Sequence, residues 1–410
     1  MKTKNILKST LAVVASCWGV MTLSCIGAWK AQSTTVMMNV MKSICMMCVI
    51  LFVSCTSSKL VSDVEFPVLK HHSIVNASDY LCDMRVIPLS NKPNEAVINT
   101  MSKVCLVGEK IVVLDNSLNK VLLFDSNGQF MKSTEKMIGR GASEYIKLRD
   151  IAIDDTNGNI YVYCEIPNKL LIFDENLNLL ESINMSIFTL EFTVWGKYAY
   201  FYCFDPSDSR KRQVIRYNKD NIGENGVPVV TTESTIQGVD ILGYSLTKNG
   251  GCFFCIPFQN VIKEILYDGT IKSYSIDFED DWKSLDNSSK LDLYDLQNTE
   301  MHWMLKNACA SDSLLLFNTN ESGTFVVDRR HEKCHLYDRM NNDYIPFSTS
   351  LMVPLQSKEG RVAFLILPSS IKNYQEKTGN MSAFPKSELK EVVESYKDDS
   401  NPLLILYKIR

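Results

Sequence analysis

The sequence predicts an all-β body made of six copies of one four-stranded unit, and three observations carry that expectation. A two-part phrase recurs from residue 110 onward: a short apolar, β-branched run, a polar turn, then a second run that closes on an aromatic and often Asp. The closing aromatics Phe124, Phe173, Tyr217, Tyr267, Tyr337 and Tyr407 lie 49, 44, 50, 70 and 70 residues apart, and about 45 residues is the length of four short strands with their turns. The turns carry residues that accept positive φ, as in Asp125-Ser126-Asn127-Gly128, Asp154 to Gly158 and Asp268-Gly269. One such unit leaves apolar surface uncovered, so neighbours must pack face to face in a closed ring. The expected architecture is therefore a six-bladed β-propeller over residues 80–410, with short helical insertions.

Taken in chain order, the elements begin with an export segment, residues 1–55. Lys42 precedes the 12-residue apolar stretch Ser43 to Ser54, which is too short to span a bilayer and has the layout of a secretory signal. Ser54-Cys55 resembles the lipobox of bacterial lipoproteins, in which the Cys thiol is acylated, so Cys55 is the expected lipidation site. An earlier apolar stretch, Leu11 to Trp29, is best explained if Met41 is the start and residues 1–40 are an upstream extension. Residues 56–79 read as a linker. The run Met84 to Leu89 then precedes the first full unit, while the last unit ends at Leu403 to Tyr407; pairing the two completes the sixth blade and removes an open sheet edge. Residues 277–308 and 386–397 break the strand pattern. In the second, Leu389, Val392, Val393 and Tyr396 follow helical spacing. Both read as helical inserts that either pack on the ring or cover a ligand site.

Composition limits the function classes. The chain has 410 residues, 45% apolar and 22% charged, with a net charge of -4, which excludes disorder. Residues 1–55 hold five Lys and no acid, leaving 38 basic against 47 acidic residues in the body. A body near -9 without a basic stripe argues against nucleic acid as a partner. Eight of the 13 Cys lie beyond the export segment, mostly inside apolar runs, and are expected as buried thiols.

Motifs that suggest chemistry have plainer readings. Gly139-Arg140-Gly141 lacks the third glycine of a dinucleotide loop, because Glu144 stands there, and no βαβ unit follows. Cys252-Phe253-Phe254-Cys255 has redox spacing, but on a strand its thiols point to opposite faces. His331 and His335, on one strand, lie about 13 Å apart, too far for one metal ion. No G-x-S-x-G elbow is present. No catalytic residue, metal site or cofactor is therefore expected.

The segments GRGASEY (139–145), RDIAIDDTNGNIYVY (149–163) and NKLLIFDENLNLLESI (168–183), with the ending SNPLLILYKIR (400–410), resemble the six-bladed β-propeller lipoproteins of Bacteroides-type bacteria, related to NHL and TolB-like propellers. Ala142-Ser143 stands where that family usually has Pro-Gly. The resemblance covers about residues 80–410 and implies the fold and an envelope location. Thr56 to Lys59 lacks an acidic run resembling a surface-export signal, which favours an outer-membrane lipoprotein facing the periplasm.

Two functional readings follow. The leading one is a lipid-tethered binding or scaffold module for a protein or a small molecule such as a glycan or peptide; the other is a propeller lyase or hydrolase acting on a glycan or lactone in the central channel. Any ligand surface is expected among loops at one end of the ring. Arg140, Glu144 and Tyr145, with Arg149 close behind, supply a cation, an anion and an aromatic, and Trp282 and Trp303 of the insert offer stacking faces. The plainer alternative is that Glu144 and Tyr145 staple adjacent blades and both Trp are buried.

Overall fold

In a computed structural model, residues 61–205, 207–233, 244–283, 296, 299–345, 351–378, 387–397 and 399–410 are described. The export segment, including Cys55, lies outside them, as do residues 284–295 and 297–298 of the first insert.

The body is a succession of antiparallel four-stranded units. Unit one spans Lys103–Ser133, unit two Lys147–Asn184, unit three Thr189–Glu233, unit four Leu246–Asp277 and unit five Leu305–Asn341. In each, strands pair with their chain neighbours. Unit six takes Leu351–Val353, Arg361–Ile366 and Leu403–Ile409, and its fourth strand, Leu81–Pro88, comes from the other end of the chain. That strand pairs antiparallel with Leu403–Ile409, Leu81 facing Ile409 and Pro88 facing Leu403. The expected pairing of the two chain ends is therefore present, with the strand starting three residues earlier.

The middle strands explain why the repeat is readable. Lys120–Phe124 and Lys169–Phe173 are buried at every position, because sheets cover both their faces, and such strands read as continuous apolar runs. The outer strand Leu179–Asn184 has no fully buried residue and leaves no comparable trace. Each pair of successive units encloses its own apolar cluster. Val112, Leu123, Ile151 and Val162 sit between units one and two; Phe192, Phe201 and Tyr163 between two and three; Tyr202 and Phe254 between three and four. Phe253, Phe317 and Phe325 fill the next interface, Leu316, Val362 and Ile405 the one after, and Ile87, Val104 and Leu406 join unit six back to unit one. Cys252 and Cys255 belong to different interfaces, as alternation requires. The eight described Cys are free thiols, seven of them buried.

The Asp that follows a third strand has one repeated task. The carboxylates of Asp125, Asp174, Asp268 and Asp328 accept backbone N–H bonds from the next turn, from Asn127, Asn176, Thr270 and Arg330, each at 2.9 Å. This Asx turn starts the return to the outer strand. Unit five shows where the sequence register slips: Tyr337 lies on its fourth strand, and Asp328 closes the third.

The expected linker is the largest departure. Val61–Asn76 is a 16-residue strand. Val61 to Pro67 run parallel to the outer strand of unit four, ending opposite Asp277, and Val68 to Asn76 run parallel to the outer strand of unit five, starting opposite Cys334. One strand therefore passes from the end of one outer edge to the start of the next. It belts the two units and then turns through Ala77–Tyr80 into the closing strand of unit six. His71 of the belt meets His335 Nδ1 through Nε2 at 2.9 Å and stacks on Tyr337. The belt is unreadable as a strand because its apolar residues are interrupted by Pro67 and His71-His72, and from Val64 onward only Phe66 and Val75 are buried apolar residues.

The C-terminal insert forms a helix, Ser387–Ser395, with Leu389 and Val393 fully buried against units five and six, so it packs on the ring. A second helix, Pro368–Thr378, has no counterpart in the sequence-based expectation; Pro at its first position is the available signal. In the first insert, Glu279–Asp281 forms a single 3-10 turn.

Candidate functional site

The predicted loop surface divides. Tyr145 is completely buried, and its hydroxyl bonds the Thr134 hydroxyl and, at 3.1 Å, the Thr134 carbonyl; it cannot touch a ligand. Glu144 Oε2 accepts the Gly141 N–H at 2.7 Å, folding the loop on itself. A Cβ on Gly139 would collide with that carboxylate and displace it. Tyr145 thus fastens the junction of units one and two, while Glu144 shapes its own loop. Arg140 is exposed. Arg149 is half-buried, donates to the Leu190 carbonyl at 3.2 Å and lies over Phe188. Trp303 is buried and stacks on Phe258, and half-buried Trp282 packs on Phe278 beside the His302 backbone. Both Trp belong to the junction of units four and five, so the structure does not bring them together with the Arg140 loop.

The axis, where the innermost strands converge, is filled. Lys103 Nζ meets Asp150 Oδ1 at 2.8 Å with both groups buried, and Asp150 Oδ2 accepts the Phe192 N–H at 2.9 Å. Glu191 accepts the N–H groups of Ser245 and Leu246. Lys248 Nζ bonds the Ile153 carbonyl at 2.6 Å and Asp155 at 2.8 Å. Gln356 accepts the Ile153 N–H and donates to Thr193. Each bond crosses from one unit to another, so the polar axis is a set of fasteners. Burial outweighs the neighbouring cation and holds the Asp150 carboxyl above its ordinary value, and burial raises Glu191 to about 7. A space lined by Lys103 and Tyr244 holds about 40 Å³, room for water and not for a substrate. Among the described residues, no group of three or more His, Cys, Asp or Glu could hold a metal ion.

A cleft of about 560 Å³ opens between units five and six, within the range of small-molecule sites. One wall is the inner part of unit five, with Asn307, Leu316 and Asn318; a second is the end of its outer strand, Asp338 to Asn342; Met352 and Phe364 of unit six face them. Asn307 sits at a bulge with φ 55°, where pairing with the next strand slips between Lys306 and Cys309. Its Oδ1 accepts the Tyr244 N–H at 2.9 Å, which fixes the amide. Asn342 is held by Tyr407, whose hydroxyl donates to Oδ1 at 3.1 Å, and its own Nδ2 is buried without a partner among the described residues. Met352 is 47% exposed.

Sequence reasoning misses this site because its residues are ordinary polar side chains inside strands. One signal is present. Leu314, Leu316 and Asn318 alternate onto one face of a strand, and an amide there breaks an otherwise apolar series.

Fold and geometry together define an all-β propeller-type protein. The family described as a domain of unknown function, DUF4934, matches residues 62–408, and the chain belongs to it. Its match begins at the belt. Among solved structures, the chain is similar to a protein of Bacteroides fragilis NCTC 9343 described as exported, at 15% identity and a TM-score of 0.63, with 85% of this chain and 100% of that one covered. A weaker likeness is to the WD40 repeats of RRP9, at 9% identity, TM-score 0.41 and 83% and 100% coverage. Another is to virginiamycin B lyase from Staphylococcus aureus, at 11% identity, TM-score 0.39 and 69% and 81% coverage. No curated protein matches the sequence.

Proposed function

We propose that this protein is a six-bladed propeller, tethered to the outer membrane through a lipid on Cys55 and facing the periplasm, that binds a small ligand in the cleft between its fifth and sixth units. The observation that carries the reading is the contrast between two places: an axis whose buried charges are hydrogen-bonded across units and a cleft of about 560 Å³ in whose lining the Asn342 amide has a buried Nδ2 without a partner among the described residues. The six repeated units and the cluster at each junction support the blade count. The apolar stretch before Cys55 supports the tether. The role is recognition and not catalysis, since an enzyme reading needs its reactive groups in a channel that side chains occupy.

A methyl-labelled Met352 reports on the cleft directly. Saturating ligand from a screen of glycans and peptides should shift the Met352 signal and raise the melting temperature; ligands that stabilise the protein without moving Met352 would place recognition elsewhere. The tether is tested separately: labelled palmitate should enter the wild type and be lost in Cys55→Ser.

A further inference from the structure

Two cations stand at the cleft with no hydrogen-bond or ion-pair partner among the described residues. Lys306 lies directly opposite Asn318 across the two inner strands of unit five, and Cys309 lies opposite Leu316 on the same pair of strands. Directly opposed residues share a face of a sheet, and Cys309, Leu316 and Asn318 all line the cleft. Lys306 therefore stands on the sheet face that Asn318 presents to the cleft, next to the lining residues and not itself part of the wall. The ammonium is half-buried, and among the described residues it has no hydrogen-bond or ion-pair partner; burial alone acts on it and lowers its pKa from the ordinary value. A second cation, Arg339, lines the rim and likewise has no partner among the described residues. Among those residues the only acid lining the cleft is Asp338, which is exposed and lies 4.0 Å from His72. In a chain of net charge -4, half-buried Lys306 beside the cleft and exposed Arg339 on its rim outnumber the one acid among the described lining residues.

We propose that the cleft binds a sugar acid, its carboxylate paired with Lys306 and Arg339, its hydroxyls bonded to the amides of Asn307 and Asn318, and its ring face against Met352 and Phe364. This rests on the reading of the cleft as the ligand site and adds the ligand's class. A half-buried cation without a counter-charge is costly, and an entering carboxylate relieves that cost with charge-assisted hydrogen bonds. Amides serve hydroxyls well because each can both donate and accept. The apolar wall suits the C–H face of a sugar ring.

The probes are tri-galacturonate, the neutral galactose trisaccharide and tri-glutamate, titrated calorimetrically into the full chain with Met352 methyl-labelled. Tri-galacturonate should move the Met352 signal, bind at least tenfold more tightly than the neutral sugar, weaken as salt rises, and lose about tenfold in affinity in Lys306→Met at unchanged melting temperature. Lys306→Arg should retain binding, which keeps the test sound if the Met variant folds poorly. Equal binding of the neutral sugar, or undiminished binding by Lys306→Met, overturns the sugar-acid inference while a shifted Met352 signal leaves the cleft reading standing. Preference for tri-glutamate at the same signal overturns the sugar and keeps the anion. No shift of Met352 with any probe overturns both.

Discussion

Single residues in this protein divide into those that fasten and those that are left free, and burial with partner count tells them apart. Lys103 and Asp150 are a fastening pair, and removing one member leaves the other buried and uncompensated. Lys103→Met should cost about 3–5 kcal/mol in urea unfolding, whereas Tyr145→Phe, which loses only the bonds to Thr134, should cost about 1 kcal/mol. Glu191 makes the axis sensitive to pH. Its folded pKa of about 7 stands above the ordinary 4.5, so the folded state holds the proton more tightly; the stability this contributes is full below pH 4.5 and is lost as pH rises through about 7. Glu191→Gln cannot titrate. Its amide can accept only one of the two N–H groups, so the variant should be less stable overall, but its melting temperature should lack the Glu191 share of the wild type's fall between about pH 5 and about pH 8.5.

At the scale of elements, the belt is an addition to units that are already four-stranded, so its loss should loosen and not unfold the protein. His335 faces His71 of the belt, with Tyr337 stacked on both, Tyr80 beyond, and Asp328 and Lys333 nearby. Burial, and then the neighbouring His71, lower the His335 pKa below 6.5. The neutral form is the one that fits, so the stability is present above pH 6.5 and is lost as pH falls through the lower folded value. Amides of Val68 to Val75 should therefore exchange faster at about pH 5.5 than at about 7.5, after correction for intrinsic rates, and His335→Phe should remove most of that difference. The belt also shows where sequence reading stops. Middle strands buried on both faces announce themselves by unbroken apolar runs, as Lys120–Phe124 does, and the Asp turns mark their ends. A strand that from Val64 onward buries only Phe66 and Val75 among its apolar residues has no such pattern, and Asn307 and Arg339 of the cleft, with Lys306 beside it, acquire meaning only when pairing sets them around one space.

For the whole molecule, the decisive contact is the one between chain ends. Leu403–Ile409 is the third strand of unit six, paired on one side with Arg361–Ile366 and on the other with Leu81–Pro88, and its Leu403 to Tyr407 are fully buried. Its removal would open two ladders, empty parts of the clusters that join unit six to both neighbours, and leave the closing strand without a partner. Each buried apolar side chain lost forfeits about 1.5–3 kcal/mol, so the five together match a domain's usual margin of about 5–15 kcal/mol. A chain ending at residue 399 should therefore lose its cooperative thermal transition. Because the missing piece is one strand with a shaped slot between two others, a peptide of residues 400–410 supplied in trans should restore the transition in a concentration-dependent way, and a peptide with Leu404 and Leu406 changed to Asp should not. Cooperative melting of the shortened chain without the peptide would show that the ring does not depend on joining its ends.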